Sequence, residues 1–171
     1  MNRWHWHSGL STGIVIGFVA LLQACTTAPV ASTSTRTPPE RSVTAVTQGN
    51  DVAMLALSLL DKRYSYGGRS PVSGLDCSGL VSHVYREAVG VDLNGSAATM
   101  AQKTKPIATQ TPYPGDLVFF NTLNAPYSHV GVYVGEGKFV HAANERTGVR
   151  VDKLSDRYYA ARFEGARTLW D

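Results

Sequence analysis

The sequence predicts an α+β domain, and two observations carry that prediction. Leu80, Val81, Val84, Tyr85, Ala88 and Val89 recur with the period of one helix face. Beyond residue 114 the chain changes character. It runs in short segments rich in β-branched and aromatic residues, "GDLVFFN", "HVGVYVG", "KFVHAA", "GVRVDKL" and "AARFEGARTL", parted by Gly, Pro and Asn. Helices followed by a run of strands place helices against an antiparallel sheet.

In chain order, residues 1–24 read as a signal segment. Its apolar run Gly13–Leu22 fits a signal-peptide core and falls short of the roughly 20 residues a membrane span needs. It ends in "LQAC", similar to a bacterial lipobox, in which Cys25 carries lipid and becomes the mature N-terminus. Residues 25–49 are mostly Ser, Thr, Pro and Ala without apolar period and read as a flexible tether. A coil of that length holds a domain on the order of 25 Å from its anchor.

The folded domain is expected over residues 50–171. Asn50 or Asp51 can cap a helix with the body "VAMLALSLLDKR", and "YSYGGRSPVSG" reads as a loop. The helix that follows carries Cys77 in its first turn and closes at Gly90. A short helix at "SAATMAQK" precedes the strands. The formal net charge of +3, without a long basic run, gives nucleic-acid binding no support.

The chemistry centres on Cys77. The chain has two cysteines, and lipid on Cys25 leaves Cys77 without a partner in an oxidising envelope. A thiol there can be core packing, a metal ligand or a nucleophile. A helix N-terminus offers unpaired N–H groups and positive potential, which favour thiolate, so the position predicts a lowered pKa. A cysteine nucleophile needs a base, normally histidine. Of five histidines, His5 and His7 lie in the signal and His83 lies on the outer face of the Cys77 helix. That leaves His129 and His141.

Their relation follows from hairpin arithmetic. If "GEG", Gly135–Gly137, is a three-residue loop, Val134 pairs with Lys138 and His141 faces Gly131. His129 and His141 then share one face as diagonal neighbours, within side-chain reach. A two-residue loop would put them on opposite faces. On the first pairing His129 can act as base and His141 can orient it. A zinc site from Cys77, His129 and His141 is the rival, although the local spacings CxxC or HxxxH of such sites are missing.

The blocks "YSYGG", "DCSGLV", "PGDLVFF", "SHVGVYVG" and "FVHA" occur in an order that resembles the NlpC family of bacterial cell-wall cysteine peptidases over about residues 50–170. The resemblance implies a papain-like fold and a peptidoglycan endopeptidase that needs no cofactor. Cys77 would be the nucleophile, His129 the base and His141 the third polar residue. Tyr66 would help an oxyanion hole, and Asp76 and Ser78 would line the substrate site. Asp76 is equally suited to capping the helix. The substrate would be a stem-peptide bond, γ-D-glutamyl–diaminopimelate or D-alanyl–diaminopimelate. Where the family often carries Pro-Arg, this chain has Asn94-Gly95. A monomer is expected, tethered through Cys25, with Thr26 pointing by analogy to the outer membrane facing the periplasm. The alternatives are a CHAP-type amidase cutting between sugar and peptide, and a non-catalytic lipoprotein that binds wall or partner proteins.

Overall fold

The computed structural model describes residues 41–107 and 111–170. The signal segment, Cys25 and the tether up to residue 40 lie outside the described residues. A sheet of order β3-β8-β4-β5-β6-β7 is antiparallel throughout. Its strands are β3 (Lys105–Pro106), β4 (Leu117–Phe120), β5 (His129–Gly135), β6 (Lys138–Asn144), β7 (Gly148–Lys153) and β8 (Phe163–Thr168). Helices α1 (Val43–Ser58), α2 (Cys77–Val89) and α3 (Ala97–Lys103) cover one face. A short helix α4 (Arg157–Ala160) and a smaller apolar cluster around Phe120 and Phe139 cover part of the other. The loop expected before Cys77 contains a two-residue ladder, β1 (Arg69–Ser70) with β2 (Gly74–Leu75).

Helix α1 begins ahead of the expected Asn50, at Val43. Its cap is Ser42, whose Oγ accepts from the Ala45 N–H at 3.2 Å. The buried stripe of this helix is Ala45, Gly49, Val52, Ala53 and Ala56, too small to register as an apolar period. Small side chains are required there. A Cβ on Gly49 would lie 2.4 Å from the Pro114 carbonyl oxygen. The end of the supposed tether is therefore part of the domain. Arg41 reinforces this boundary, with Nη2 2.9 Å from Asp116 Oδ1 and 3.0 Å from Thr168 Oγ1.

Helix α2 follows its sequence signals at both ends. Asp76 caps it through a 2.6 Å bond from the Gly79 N–H. Gly90, at φ 68°, closes it with N–H bonds back to the last turn. Leu80, Val81, Val84 and Tyr85 are fully buried against the sheet. Burying such side chains stabilises by about 1.5–3 kcal/mol each. Gly79 lets the first turn sit on the preceding loop, because a Cβ there would meet the Gly68 carbonyl oxygen at 1.9 Å.

Candidate active site

The hairpin arithmetic for the histidines holds, though by another turn than expected. Gly135 pairs with Lys138 around a two-residue turn, Glu136-Gly137, both at positive φ. The register shifts between Tyr133 and Gly135, and Tyr133 then pairs with Phe139 and Val132 with Val140. The extra residue, Val134, restores the pairing that a plain two-residue hairpin would have lost. Gly131 stands against His141, where a Cβ would come within 2.6 Å of the Phe139 ring.

The two imidazoles meet. His129 Nε2 and His141 Nδ1 are 2.7 Å apart, and both residues are buried. The third member of the row was not foreseen. His141 Nε2 lies 2.8 Å from Asp152 Oδ2 on β7, and Asp152 Oδ1 is held by Arg150. The Tyr159 hydroxyl stands 3.3 Å from His141 Nε2. A carboxylate only accepts, so His141 Nε2 donates to Asp152. His141 Nδ1 then accepts from His129 Nε2–H, which leaves the His129 Nδ1 lone pair free; these proton positions are assigned from the network. His141 has both nitrogens engaged in this row and offers no lone pair to a metal, and among the described residues no group of three His, Cys, Asp or Glu side chains is placed to hold one.

Cys77 is the first residue of α2, half-buried, on the helix that packs against β5. The N–H of Val130, next to His129, reaches the sulfur together with those of Ser78 and Cys77, and all three favour thiolate. They do not prevail. Burial, then the Asp76 carboxylate, push the thiol up to about 11, against the lowering expected from the helix terminus alone. Burial, then neighbouring His141, push His129 down to about 3. His141 is lowered too, chiefly by burial. At neutral pH the site therefore holds a thiol, neutral imidazoles and the ionised Asp152. Burial acts to raise Asp152, but the hydrogen bond from His141 and the Arg150 guanidinium more than offset it.

The remaining expected residues fall out as follows. Tyr66 is 87 % exposed. The tyrosine that feels the thiol is Tyr64, packed at the core edge and joined to Leu75, with its pKa raised by burial and then by Cys77 and Asp76. Alternation in a Gly-rich loop gives no face, so the sequence does not separate the two tyrosines. Asp76 caps α2 and also pins the glycine loop, accepting the Gly67 N–H at 3.0 Å on Oδ2. Ser78 is buried, and its hydroxyl donates to Asp76 Oδ1 at 2.9 Å, so it stands behind Asp76 rather than lining a cleft. In place of Pro-Arg, Gly95 adopts φ 124°, a conformation an arginine would not take readily. Two cations converge on Asn94 instead, Arg69 Nη1 at 3.5 Å from its Oδ1 and Lys103 Nζ at 2.8 Å from its carbonyl oxygen.

Comparison with known proteins agrees with this geometry. The model of the NlpC/P60 family matches residues 61–168. Murein DD-endopeptidase MepH of Escherichia coli K12 is 37% identical over 128 residues, covering 72% of this chain and 47% of that protein. Gamma-DL-glutamyl hydrolase of Bacillus subtilis strain 168 is 38% identical over 105 residues, covering 61% of this chain and 25% of that protein. The chain thus spans between a quarter and a half of these relatives. Among solved structures, an NLP/P60-family protein of Staphylococcus aureus Mu50, described as similar to lipoprotein, superposes with a TM-score of 0.62 at 31% identity, covering 80% of this chain and 45% of that one. The NlpC/p60 domain of the peptidoglycan hydrolase SagA superposes with a TM-score of 0.61 at 27% identity, covering 71% of this chain and 98% of that one.

Proposed function

Since the chain belongs to the NlpC/P60 family, we propose that it is a peptidoglycan endopeptidase of the bacterial cell envelope, working as a cysteine peptidase on stem-peptide or cross-link amides. The observation that supports this most is the buried His129–His141 hydrogen bond beside the strand residue whose N–H reaches the Cys77 sulfur. The relatives' names, murein DD-endopeptidase and gamma-DL-glutamyl hydrolase, support the substrate class. One name carries a murein DD bond and the other a γ-glutamyl bond, and D-alanyl–diaminopimelate and γ-D-glutamyl–diaminopimelate are the stem-peptide bonds of those two types that we propose as candidates.

The mechanism starts from a neutral pair. As the Cys77 sulfur attacks the carbonyl carbon, its proton passes to His129 Nδ1. The oxyanion forms at the mouth of α2, with the Cys77 N–H and the hydroxyl of Tyr64, the tyrosine that feels the thiol, as its proposed donors. His129 then protonates the departing amine, which leaves a thioester on Cys77. Water activated by His129 hydrolyses it and restores the thiol. A cavity of about 250 Å³, lined among others by Thr122, Leu123, His129, Asn144 and Tyr158, lies on the histidine side and suits the departing part. Lipid on Cys25, with an outer-membrane anchor facing the periplasm, would bring the domain to the wall.

Purified monomeric and cross-linked muropeptides digested with wild type and Cys77→Ala, and read by mass spectrometry, test this reading. Wild type should release stem-peptide fragments and the variant none. Equal activity of both, or inertness of both on every wall substrate, would refute it. Release of intact stem peptides from the sugar would indicate a CHAP-type amidase instead.

A further inference from the structure

We propose that Asp152 is a positioning residue that sets the tautomers of both histidines, so that His129 meets the thiol with a lone pair and not with a proton. The proposal rests on the reading of Cys77 and His129 as the reacting pair.

The placement of Asp152 is dictated by the sheet. In the β6–β7 ladder His141 pairs with Arg150, and Phe139 pairs with Asp152. Arg150 and Asp152 therefore share the face that carries His141, while Val149 and Val151, which alternate with them, face the helices. Asp152 is 7 % exposed and surrounded by donors. Arg150 holds Oδ1, His141 Nε2 holds Oδ2, and the Tyr159 hydroxyl hydrogen-bonds to the carboxylate as well. The aromatic rings of Phe139 and Tyr159 wall the His141 ring. Turning the His141 ring over would take both nitrogens away from their partners, His129 and Asp152.

The orientation of the whole row follows from the one member that cannot donate. With a carboxylate at position 152, each N–H points along the row toward it: His129 Nε2–H to His141, then His141 Nε2–H to Asp152. The only basic nitrogen left in the row is His129 Nδ1, the one that the proposed reaction uses to take the Cys77 proton. When His129 takes the thiol proton, the positive charge that develops faces this carboxylate through His141, while Arg150 fixes the carboxylate in place.

Arg150 makes the proposal testable, because a guanidinium only donates. In Asp152→Asn the amide oxygen must stay with Arg150, and the NH2 then faces His141. His141 accepts at Nε2 and carries its proton on Nδ1. His129 accepts at Nε2 and presents Nδ1–H to the thiol, which disables the base. The isosteric Asn variant should therefore be more damaging than Asp152→Ala, the reverse of what packing predicts.

The experiment measures kcat and KM on muropeptides and the tautomers of His129 and His141 by 15N–1H correlation of the imidazoles. In wild type both rings should show Nε2–H. In Asp152→Asn both should show Nδ1–H, with kcat down on the order of 10- to 100-fold and KM unchanged. Adding Arg150→Ala to Asp152→Asn frees the amide to turn, and part of the lost kcat should return. Asp152→Asn retaining kcat within about twofold of wild type would overturn the proposal. So would unchanged tautomers, or Asn proving milder than Ala. If Asp152→Asn does not fold, Asp152→Ala decides. A kcat reduced about tenfold with KM unchanged supports the proposal, and an unchanged kcat refutes it. Should wild type itself be inert on every wall substrate, the functional reading fails, while the imidazole spectra still decide the role of Asp152.

Discussion

Replacing Asp76 by Asn tests how the nucleophile is held. The Cys77 thiol stands at about 11 against an ordinary 9.0, with burial the larger cause and the Asp76 carboxylate the next. At pH 8 a thiol titrating at about 11 is ionised in roughly one molecule in a thousand, against about one in ten for an ordinary one, a difference of about 3 kcal/mol. Asparagine is a good cap, and its amide oxygen can accept the Gly79 N–H and the Ser78 hydroxyl as Asp76 Oδ1 does. What it removes is the charge beside the sulfur, together with the bond that Oδ2 accepts from the Gly67 N–H. The midpoint should therefore fall from about 11 toward 9.0 without reaching it, since burial remains.

Thiolate absorbance at 240 nm, followed against pH, measures this directly. The difference against Cys77→Ala removes the contribution of the eight tyrosines. The pH dependence of iodoacetamide alkylation at Cys77 gives the same midpoint independently. A wild-type midpoint at or below 9.0 would mean a preformed thiolate and would refute the neutral resting pair. An Asp76→Asn midpoint that does not move would mean that the carboxylate does not act on the sulfur.

Other consequences are as direct. Tyr64→Phe should lower kcat on the order of 100-fold, as removal of an oxyanion donor does, whereas Tyr66→Phe should leave it unchanged; steady-state kinetics on muropeptides separate the two. Arg41→Ala leaves Asp116 buried without its cation, so chemical denaturation should show a loss of about 3–5 kcal/mol. Acid should destabilise the fold below about pH 6.5. His129 is lowered in the folded state, with His141 and His83 lowered as well, so the unfolded chain binds more protons on acidification. The sign follows: stability is full above the ordinary histidine value of 6.5 and is lost as pH falls toward about 3, by up to about 1.4 kcal/mol per pH unit from His129 alone. His129→Gln should flatten that slope in thermal melts taken between pH 6.5 and 4.5. An undiminished slope would refute the assignment.

Much of this site is legible in the sequence because strong local signals mark it. Helix α2 shows its period, its aspartate cap and its closing glycine, so Cys77 could be placed at a helix mouth. The histidine pair could be placed because side-chain alternation in a strand is strict. Asp152 was within reach of the same counting, since Arg150 and Asp152 alternate onto the face of His141. As a lone acid near a strand end, however, it carries no distinguishing pattern. The start of α1 was hidden because close contact with Gly115 selects small residues rather than apolar ones. Helix α4 has no buried residue and hence no period. The state of the thiol is not legible in the sequence for a different reason. A helix terminus is a local property, whereas burial under the sheet is a property of the whole fold.

The bulge at Val134 separates two demands that a hairpin usually meets together. Closing the β5–β6 ribbon needs only complementary strands and a turn that Glu136-Gly137 supplies. Bringing His129 and His141 onto one face needs an odd number of residues between paired positions, as in the seven between Val132 and Val140, and that parity rests on one residue. Excising Val134 would leave a regular two-residue hairpin with every active-site side chain still encoded. It would nevertheless turn the stretch that carries His141 to the opposite face relative to His129. The activity of this domain can thus be lost through a count rather than through a chemical group, at a position that touches neither thiol nor imidazole. The length of the hairpin is as much a part of the active site as its histidines.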